Sequence, residues 1–477
     1  MSAAAYTPEE PIAAIATALA PAALGIVRCT GTGVIELLSK VFSRPQALLS
    51  AAGNTIVYGW MVEPGDGAGE KEKQSIDQVL VSVFRGPRSF TGEDMVEISC
   101  HGGPGMVTEI FRLLTAHGFR AALPGEFTFR SFINGKADLT RSEAVHEIIA
   151  AKTDTSRSRA AGRLAGGLFQ ELDAIKQLLR ETLAALEAEI EYPEDEEAIA
   201  DAFDSRQLEV ARYRLESLCN SWASEKLYQD GVRVVLCGRT NAGKSSLFNT
   251  LLKEDRSIVS DIHGTTRDWI ESWVSFAGIP ARLFDTAGLR ESDDEVERHG
   301  IQRTQDLTAE AQLILYLVDA SVGLVEEDKA FLSKWSQEEK FIRPPLVLVL
   351  NKWDKVTDTN PPEFELEQLP LDGIIRLSAK TGAGTAQLVE SVKDLISRDC
   401  SSNSSGQVGL GTERQKICAQ EALEAVIHGL EVAQDGYTLD AVVQDVEEAL
   451  AALGEITGEV TTEDILDTVF SKFCLGK

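Results

Sequence analysis

The sequence of 477 residues lacks the features of a membrane or secreted protein. No apolar run approaches the roughly 18 residues that a membrane-spanning helix requires. The N-terminus carries Glu9 and Glu10 and has no basic start of the kind that signal peptides have. The seven cysteines show no close metal-type spacing, which indicates reduced thiols. We therefore expect a cytoplasmic protein with no membrane partner.

The sequence is also short of positive charge, with 46 lysines and arginines against 75 aspartates and glutamates. The net charge of −29 disfavours indiscriminate binding to nucleic acid or anionic lipid. It does not exclude RNA as a substrate, because charge can be segregated along a chain. Residues 112–163 hold nine basic residues against five acidic ones. This local excess indicates either a surface that faces RNA or a solvated helix face with ordinary salt bridges.

A glycine-rich stretch, Gly238-Arg-Thr-Asn-Ala-Gly-Lys-Ser245, has the G-x-x-x-x-G-K-[ST] spacing of a phosphate-binding loop. It follows a β-branched apolar run at 232–236 and precedes an amphipathic segment at 246–252. Its two glycines allow backbone N–H groups to point at phosphate oxygens. Lys244 is expected to bridge the β- and γ-phosphates, and Ser245 is expected to hold magnesium.

Three downstream motifs identify the nucleotide. Asp285-Thr-Ala-Gly288, Asn351-Lys-Trp-Asp354 and Ser378-Ala-Lys380 each follow or close a predicted strand. The Asp354 carboxylate can accept two hydrogen bonds from guanine N1 and N2. Adenine lacks these donors, so ATP would leave a buried acceptor unpaired. The motifs predict a site for GTP and GDP.

The predicted GTP-binding residues come from these motifs and from the segment between the first two. They are Asn241, Ala242, Gly243, Lys244, Ser245, Ser246, Ser260, Thr265, Thr266, Asp285, Thr286, Ala287, Gly288, Asn351, Lys352, Trp353, Asp354, Ser378, Ala379 and Lys380. Asp285 can reach magnesium through water, and Gly288 can offer its N–H to the γ-phosphate.

The chain divides into segments of different character. Residues 1–134 alternate strand and helix patterns, residues 135–228 and 400–477 have helical periodicity, and residues 229–399 carry the nucleotide motifs. The expected fold class is α/β multidomain. It comprises an N-terminal α/β domain, a discontinuous α-helical domain, and a Ras-like P-loop GTPase domain inserted between the two helical halves.

Two local features refine this organisation. Helical periodicity is continuous over 156–191 and is broken near Gly436 and Gly454. Arg28 and Glu97 are ionisable residues inside apolar strands of the N-terminal domain. They indicate either a ligand-binding pair or a salt bridge on a sheet face.

With these residues in hand, the chain resembles the tRNA-modification GTPase MnmE family, also called TrmE, throughout its length. The resemblance rests on Asn241 in the phosphate loop and on six further motifs: Gly264-Thr-Thr-Arg-Asp268, Asp285-Thr-Ala-Gly-Leu-Arg-Glu291, Asp294-Glu-Val-Glu297, Leu123-Pro-Gly-Glu-Phe127, Phe132-Ile-Asn-Gly-Lys-Ala-Asp-Leu139 and the terminal Cys474-Leu-Gly-Lys477. Thr240 stands where the family usually has proline, so a stiffer turn is lost but no ligand is.

The resemblance implies a GTP-hydrolysing component of a complex that modifies C5 of the wobble uridine, position 34, of certain tRNAs. Members act with the flavoprotein MnmG in a heterotetramer and add a carboxymethylaminomethyl or aminomethyl group to this tRNA substrate. A tetrahydrofolate derivative, either 5-formyl- or methylene-tetrahydrofolate, supplies the one-carbon unit. The N-terminal domain is expected to bind this folate and to form a homodimer.

By motif position, the resemblance implies folate contacts from Arg28, Glu97, Lys136 and Lys477. A carboxylate suits the aminopyrimidine edge of a pterin, and cations suit its glutamate tail. The dimer is expected to place the tail of one chain near the folate of another. Cys474 then becomes a candidate nucleophile toward the uracil ring, whereas an inert, supporting or redox role is the alternative.

The residue that orients the attacking water is not the usual one. Ras-like enzymes place a glutamine just after Asp-x-x-Gly, and this chain has Leu289 there. The resemblance points to Glu297, acting through a bridging water, as the catalytic residue. The alternative is that Glu297 is one more surface acid in an acidic run.

Two cations are expected at the nucleotide. Magnesium (Mg2+) is expected on Ser245 and Thr266. Potassium (K+) is expected to supply, near the bridging β–γ oxygen, the positive charge that an arginine normally provides. The expected potassium ligands are Asn241, Ser260, Ile262 and Thr265. Alternatively, Asn241 only caps the turn.

Two other functions remain open at this level. A ribosome-assembly or RNA-binding regulatory GTPase would share the nucleotide motifs, but it usually carries a basic RNA-binding appendage. A folate-dependent transferase with a purely structural GTPase domain would bind folate without turnover coupled to GTP.

Overall fold

The computed structural model describes residues 10–64, 74–191, 205–254, 270–285, 311–337, 343–356, 369–398, 408–434, 439–473 and 476. The chain forms two compact units. Unit 1 comprises Met1–His146, Leu164–Arg212 and Ile417–Lys477, and unit 2 comprises Glu147–Arg163 and Tyr213–Lys416. The predicted α/β multidomain class is confirmed. The finer boundaries after residues 134, 228 and 399 stay predictions.

Strands and helices are numbered here in chain order. The strands are β1 (Ile12–Ile15), β2 (Leu24–Thr30), β3 (Thr55–Glu63), β4 (Gln74–Phe84), β5 (Met95–His101), β6 (Arg120–Ala121), β7 (Val232–Gly238), β8 (Ile270–Phe276), β9 (Ile279–Asp285), β10 (Leu313–Asp319), β11 (Leu346–Asn351) and β12 (Gly373–Arg376). The helices in the described ranges are α1 (Val34–Lys40), α2 (Pro45–Leu49), α3 (Pro104–Ala116), α4 (Glu126–Ile133), α5 (Leu139–Ala150), α6 (Asp154–Leu164), α7 (Gly167–Glu191), α8 (Arg206–Asp230), α9 (Lys244–Glu254), α10 (Glu326–Ser336), α11 (Thr385–Ser397), α12 (Glu413–Gln434), α13 (Leu439–Thr457) and α14 (Glu463–Phe470).

Unit 1 contains a sheet with the strand order β3-β4-β5-β2-β1-β6, antiparallel except between β1 and β6. Along β4, Val79, Val81 and Val83 are buried, whereas Leu80 between them is half exposed. This alternation is typical of an antiparallel strand that is covered on one face. Helices α1, α2 and α3 cover that face and contribute Ile35, Leu38, Leu48, Ile110 and Leu113 to its core.

The helical part of unit 1 is built on the packing of α7 against α13. Leu172, Ile175 and Leu179 are fully buried and recur at helical spacing along α7. Lys176 lies on the same face and is 1% exposed. Its Nζ donates to Thr457 Oγ1 at 3.2 Å and to the Glu459 carboxylate at 2.6 Å. The buried ammonium is therefore paired at the carboxyl end of α13, where a positive charge is favoured.

One prediction about the helices is wrong, and a second is displaced by a few residues. The run predicted as continuous over 156–191 is divided into α6 and α7, and Gly166 between them adopts a left-handed φ of 97°. The break predicted near Gly454 occurs slightly later, because α13 continues to Thr457 and is followed by Gly458 with φ 90°. Glycine is compatible with either role, so its presence alone does not locate a helix end. Gly436 lies outside the described residues.

Unit 2 contains a sheet with the strand order β12-β11-β10-β7-β9-β8, parallel except between β8 and β9. The inner strands β10 and β11 are almost entirely buried, as expected for parallel strands covered on both faces. Helices α9 and α11 contribute to the core on one face, and α10 contributes to the core on the other. The carboxyl ends of β7, β9, β10, β11 and β12 meet at one edge, where ligands of open parallel sheets bind.

Candidate functional site

The phosphate loop runs from the end of β7 to the first residue of α9, as the sequence predicts. Gly238 has φ 133° and Gly243 has φ 99°. A Cβ at Gly238 would overlap the Leu317 carbonyl, and a Cβ at Gly243 would overlap the Asn351 side-chain amide. Glycine is therefore required at both positions for backbone conformation and for space.

Lys244 is folded back over this loop and is 7% exposed. Its Nζ donates to Gly238 O at 2.8 Å and to Arg239 O at 2.9 Å. Ser245 and Ser246 lie exposed in the first turn of α9. A helix N-terminus with a lysine beside it attracts an anion, and a phosphate would compete with the two carbonyls for the ammonium. The donor set fits a nucleotide phosphate, and the Ser245 hydroxyl fits a magnesium ligand.

Asn351 belongs to one of the four nucleotide motifs and is bonded to two of the others. It is the last residue of β11 and is 2% exposed. Its Nδ2 donates to Ala242 O in the phosphate loop at 2.8 Å, and its Oδ1 accepts from Ala379 N at 2.9 Å. One buried amide thus fixes the phosphate loop and the Ser378-Ala-Lys380 loop relative to each other.

Asp354 is exposed at the rim of this edge, in a short 3-10 turn at Trp353–Lys355. A hydrogen bond from the Ser378 side chain lowers the pKa of Asp354, so its carboxylate is ionised at neutral pH. An ionised carboxylate is the acceptor that guanine N1 and N2 require. The guanidinium of Arg376 lies over the Trp353 ring, with 4.8 Å between its Cζ and the ring centroid. Lys380 is exposed beside Ala379.

Asp319 belongs to this site although sequence reasoning missed it. Lys352 has φ 61°, and its Nζ donates to Asn241 O at 2.6 Å and to Asp319 Oδ2 at 2.7 Å. Burial alone would raise the pKa of Asp319, but hydrogen bonds from Lys352 and Ser321 outweigh burial and lower it. The sequence does contain a signal for Asp319: it is an acidic residue at the carboxyl end of an apolar strand, β10, where the loops that carry the motifs also begin.

Several predicted site residues lie outside the described residues. They are Ser260, Ile262, Thr265, Thr266, Thr286, Ala287, Gly288, Glu297, Cys474 and Lys477. Asp285 is described as the last residue of β9, where its backbone pairs with that of Leu236. Asn241 is exposed and has φ 65° in the phosphate loop. Both residues lie at the predicted edge of the sheet.

Arg28 and Glu97 face each other on β2 and β5 of unit 1. Arg28 donates from Nε and Nη2 to Glu97 Oε1 at 2.9 and 2.6 Å, and from Nη1 to Gly476 O of the same chain at 3.2 Å. Phe90 and Phe127 also flank the guanidinium, with ring centroids 5.9 and 5.8 Å from its Cζ. The two charged side chains are about one-fifth exposed. Arg28 and Glu97 therefore form an ion pair on a sheet face, and both side chains are partly accessible to solvent.

Lys136 lies beside the loop that carries Phe90. Its Cγ is 3.3 Å from the place where a Cβ would stand on Gly92, and Asn134 Nδ2 donates to Thr91 O at 2.7 Å. The structure therefore brings Lys136 and Arg28 to the same loop from opposite parts of unit 1. Lys136 is exposed and its charged end is open to a ligand.

A buried ionic network supports this loop, and the sequence did not indicate it. Arg130 is fully buried and donates to Glu93 Oε2 and to Glu126 Oε1, both at 2.9 Å. Arg120 donates to Glu126 at 2.6 Å. Burial alone would raise the pKa of Glu126, but Arg120, the Leu123 N–H and Arg130 lower it.

The local basic excess at 112–163 consists largely of ion pairs. Seven of its nine basic residues are bonded to carboxylates: Arg112 to Glu109 and Glu63, Arg120 to Glu10 and Glu126, Arg130 to Glu93 and Glu126, Arg141 to Asp138, Arg157 to Asp154, Arg159 to Glu225, and Arg163 to Glu147 and Glu225. The salt-bridge interpretation of this segment is therefore confirmed for these seven.

Within the described ranges, no helix is both long and apolar enough to cross a membrane.

Comparisons with known proteins cover almost the whole chain. Residues 11–136 match the family model described as GTP-binding protein TrmE N-terminus, and residues 139–474 match that of the MnmE helical domain. The chain is 48% identical over 481 residues to the tRNA modification GTPase MnmE of Treponema denticola, covering 99% of both chains. It is 41% identical over 515 residues to the protein of that name from Treponema pallidum strain Nichols, again covering 99% of both. The identity to the one from Borrelia turicatae is 38% over 470 residues, covering 98% of both. The chain therefore belongs to the tRNA modification GTPase MnmE family.

Proposed function

We propose that this protein binds and hydrolyses GTP as part of a complex that modifies the wobble uridine of tRNA. The observation that carries the nucleotide part is the position of Asn351, whose amide bonds both Ala242 O and Ala379 N. These bonds, both made within the chain itself, hold a phosphate loop and a base-recognition loop in one arrangement. Preorganisation of this kind is what nucleotide affinity and positioning require.

Different residues among those described would bind the phosphates and the base of GTP. Lys244 and the first turn of α9 would hold the β- and γ-phosphates, and the Asp354 carboxylate would select guanine. Ser245, together with Thr266, would hold Mg2+, which neutralises charge on the phosphate oxygens when bound. Leu289 stands where Ras-like enzymes have the glutamine that orients the attacking water, and Glu297, to which the family resemblance points, is proposed to take that role.

A potassium ion is proposed as the source of positive charge at the bridging oxygen. Asn241 supports this role because its left-handed φ of 65° leaves the residue exposed in the phosphate loop, while its carbonyl is bonded by Lys352. Its side chain is therefore available to a cation at the nucleotide. The remaining proposed ligands are Ser260, Ile262 and Thr265.

A tetrahydrofolate derivative is proposed to bind at Arg28 and Glu97. Among the described residues, Arg28 is the only side chain bonded to Glu97, and it uses Oε1 alone. The second oxygen can accept from the N–H groups of a pterin, while Lys136 and Lys477 suit the glutamate tail. The folate would supply the one-carbon unit for C5 of the uridine, with Cys474 as the proposed nucleophile. The proposed assembly is a homodimer with the flavoprotein MnmG as partner.

The experiment that tests this function compares tRNA from cells with and without the gene. Mass spectrometry of wobble nucleosides should show loss of the carboxymethylaminomethyl or aminomethyl group without it. The parent gene should restore the group, and a Lys244→Ala variant, which cannot hold the phosphates, should not. An unchanged nucleoside profile in the deletion strain would refute the tRNA function. The ion pairing within 112–163 gives no support to an RNA-facing surface there, either for tRNA or for the alternative of a ribosome-assembly or RNA-binding regulatory GTPase, because most of those side chains already have carboxylate partners.

A further inference from the structure

The phosphate loop has an anchor on a helix that carries none of the nucleotide motifs. Arg239 is the first residue of the loop after Gly238, and its side chain contacts α10. Its Nε lies 3.2 Å from Oδ2 of Asp328, a residue in the first turn of α10. Asp328 is fully buried, whereas the Arg239 side chain is one-quarter exposed.

The Asp328 carboxylate is held in place from three sides. Tyr316 on β10 donates its hydroxyl to Oδ1 at 3.0 Å, and the Val325 N–H donates to Oδ2 at 3.2 Å. Burial, and then the nearby carboxylate, raises the pKa of Tyr316, so the phenol stays protonated as a donor. Arg239 supplies a positive charge that offsets the cost of burying this carboxylate.

The backbone of Arg239 is at the same time part of the phosphate loop. Its carbonyl accepts from Lys244 Nζ at 2.9 Å and from Ala242 N at 3.3 Å. A single residue therefore connects the lysine of the loop, through its own side chain, to a fixed charge in the core of unit 2. If the side chain is released, the first half of the loop loses its only ion pair to a fixed point among the described residues.

We propose that Asp328 is a positioning residue for nucleotide binding, which acts through Arg239 by holding the phosphate loop in its ligand-ready shape. The proposal rests on the proposed nucleotide site. Asp328 does not touch the nucleotide, and its effect is entropic: a loop already ordered loses less freedom when phosphate binds. Exposed acids of the same helix, such as Glu327, have no such role.

The test is a titration of the full-length chain with a fluorescent GDP derivative, because GDP avoids hydrolysis. Asp328→Asn keeps the side-chain volume and the acceptor for Tyr316, but it replaces Oδ2 with an amide NH2, which removes the charge that pairs with Arg239 and the acceptor for the Val325 N–H. We expect it to lower the affinity for GDP by about tenfold, because binding must then order one more side chain together with the loop. Tyr316→Phe removes a bond to the same carboxylate without freeing Arg239, so it should lower thermal stability and leave GDP affinity unchanged. Glu327→Gln is the surface control and should change neither quantity.

A double-mutant cycle separates positioning from general destabilisation. Arg239→Gln should weaken GDP by about as much as Asp328→Asn, and the double variant should be weaker than either by no more than about twofold. Unchanged GDP affinity in Asp328→Asn, equal losses in Asp328→Asn and Tyr316→Phe, or additive losses in the double variant would each overturn the proposal. If the parent itself does not bind GDP, the proposed nucleotide function fails instead.

Discussion

Replacing Asn351 with alanine tests whether this residue braces the nucleotide site. The side chain is 2% exposed, and the change removes its bonds to Ala242 O and Ala379 N. Each lost bond costs about 1 kcal/mol net, and a buried group left without a partner costs more. Two bonds amount to at least about 2 kcal/mol, which is a factor of about thirty in an equilibrium constant.

We expect Asn351→Ala to weaken GDP by about thirtyfold or more, because the ligand must then order both loops by itself. Asn351→Asp separates the two bonds: it keeps an acceptor for Ala379 N but sets a carboxylate oxygen against the Ala242 carbonyl. It should therefore weaken GDP at least as strongly as alanine does. Equilibrium titration with fluorescent GDP measures both variants.

The matched control is Asn134→Ala in unit 1, which also removes a side-chain amide bonded to a carbonyl, that of Thr91 at 2.7 Å. It should leave GDP affinity unchanged. A GDP affinity of Asn351→Ala within about threefold of the parent would refute the role of Asn351 in ordering the two loops. Changes of that size are also expected from independent sites and from measurement scatter.

Three further predictions address base choice, folate and potassium. Asp354→Asn should bind GTP far more weakly and gain affinity for xanthosine nucleotides, because it replaces an acceptor with a donor opposite N2; equal GTP binding in a nucleotide titration would contradict this. Arg28→Ala and Glu97→Ala should abolish binding of a formyl-tetrahydrofolate in calorimetry while GTP affinity stays intact, and undiminished folate binding in both variants would refute the site. GTP turnover of the parent should be faster in potassium chloride than in sodium chloride at matched ionic strength, whereas Asn241→Ala should lose that difference. Equal parental rates in the two salts would rule out the cation role.

Much of the fold follows from local patterns in the sequence. Within the strand and helix patterns of residues 1–134, the sequence predicts strands at 22–28, 54–62, 78–84 and 95–100. These strands correspond to β2, β3, β4 and β5. These segments are mainly apolar, with several β-branched and aromatic residues, which indicates a strand without knowledge of its partners. β1 and β6 were missed, since four and two residues are too few to show a period. The helix end at Gly166 was missed, and the one at Gly458 was predicted a few residues too early, because glycine occurs both at ends and inside helices.

What the sequence by itself determined is the nucleotide site, because its chemistry is carried by short contiguous motifs. A phosphate loop needs its glycines, lysine and serine within eight consecutive residues, and a strand and a helix on either side complete the requirement. The structure confirms this loop between β7 and α9. Only the tertiary structure decided which distant charges meet. The pairs Arg130–Glu93, Lys352–Asp319 and Arg239–Asp328 join residues from different strands, loops and helices. An ion pair depends on a separation of a few ångströms, which strand order and helix packing set and which periodicity along one chain does not contain.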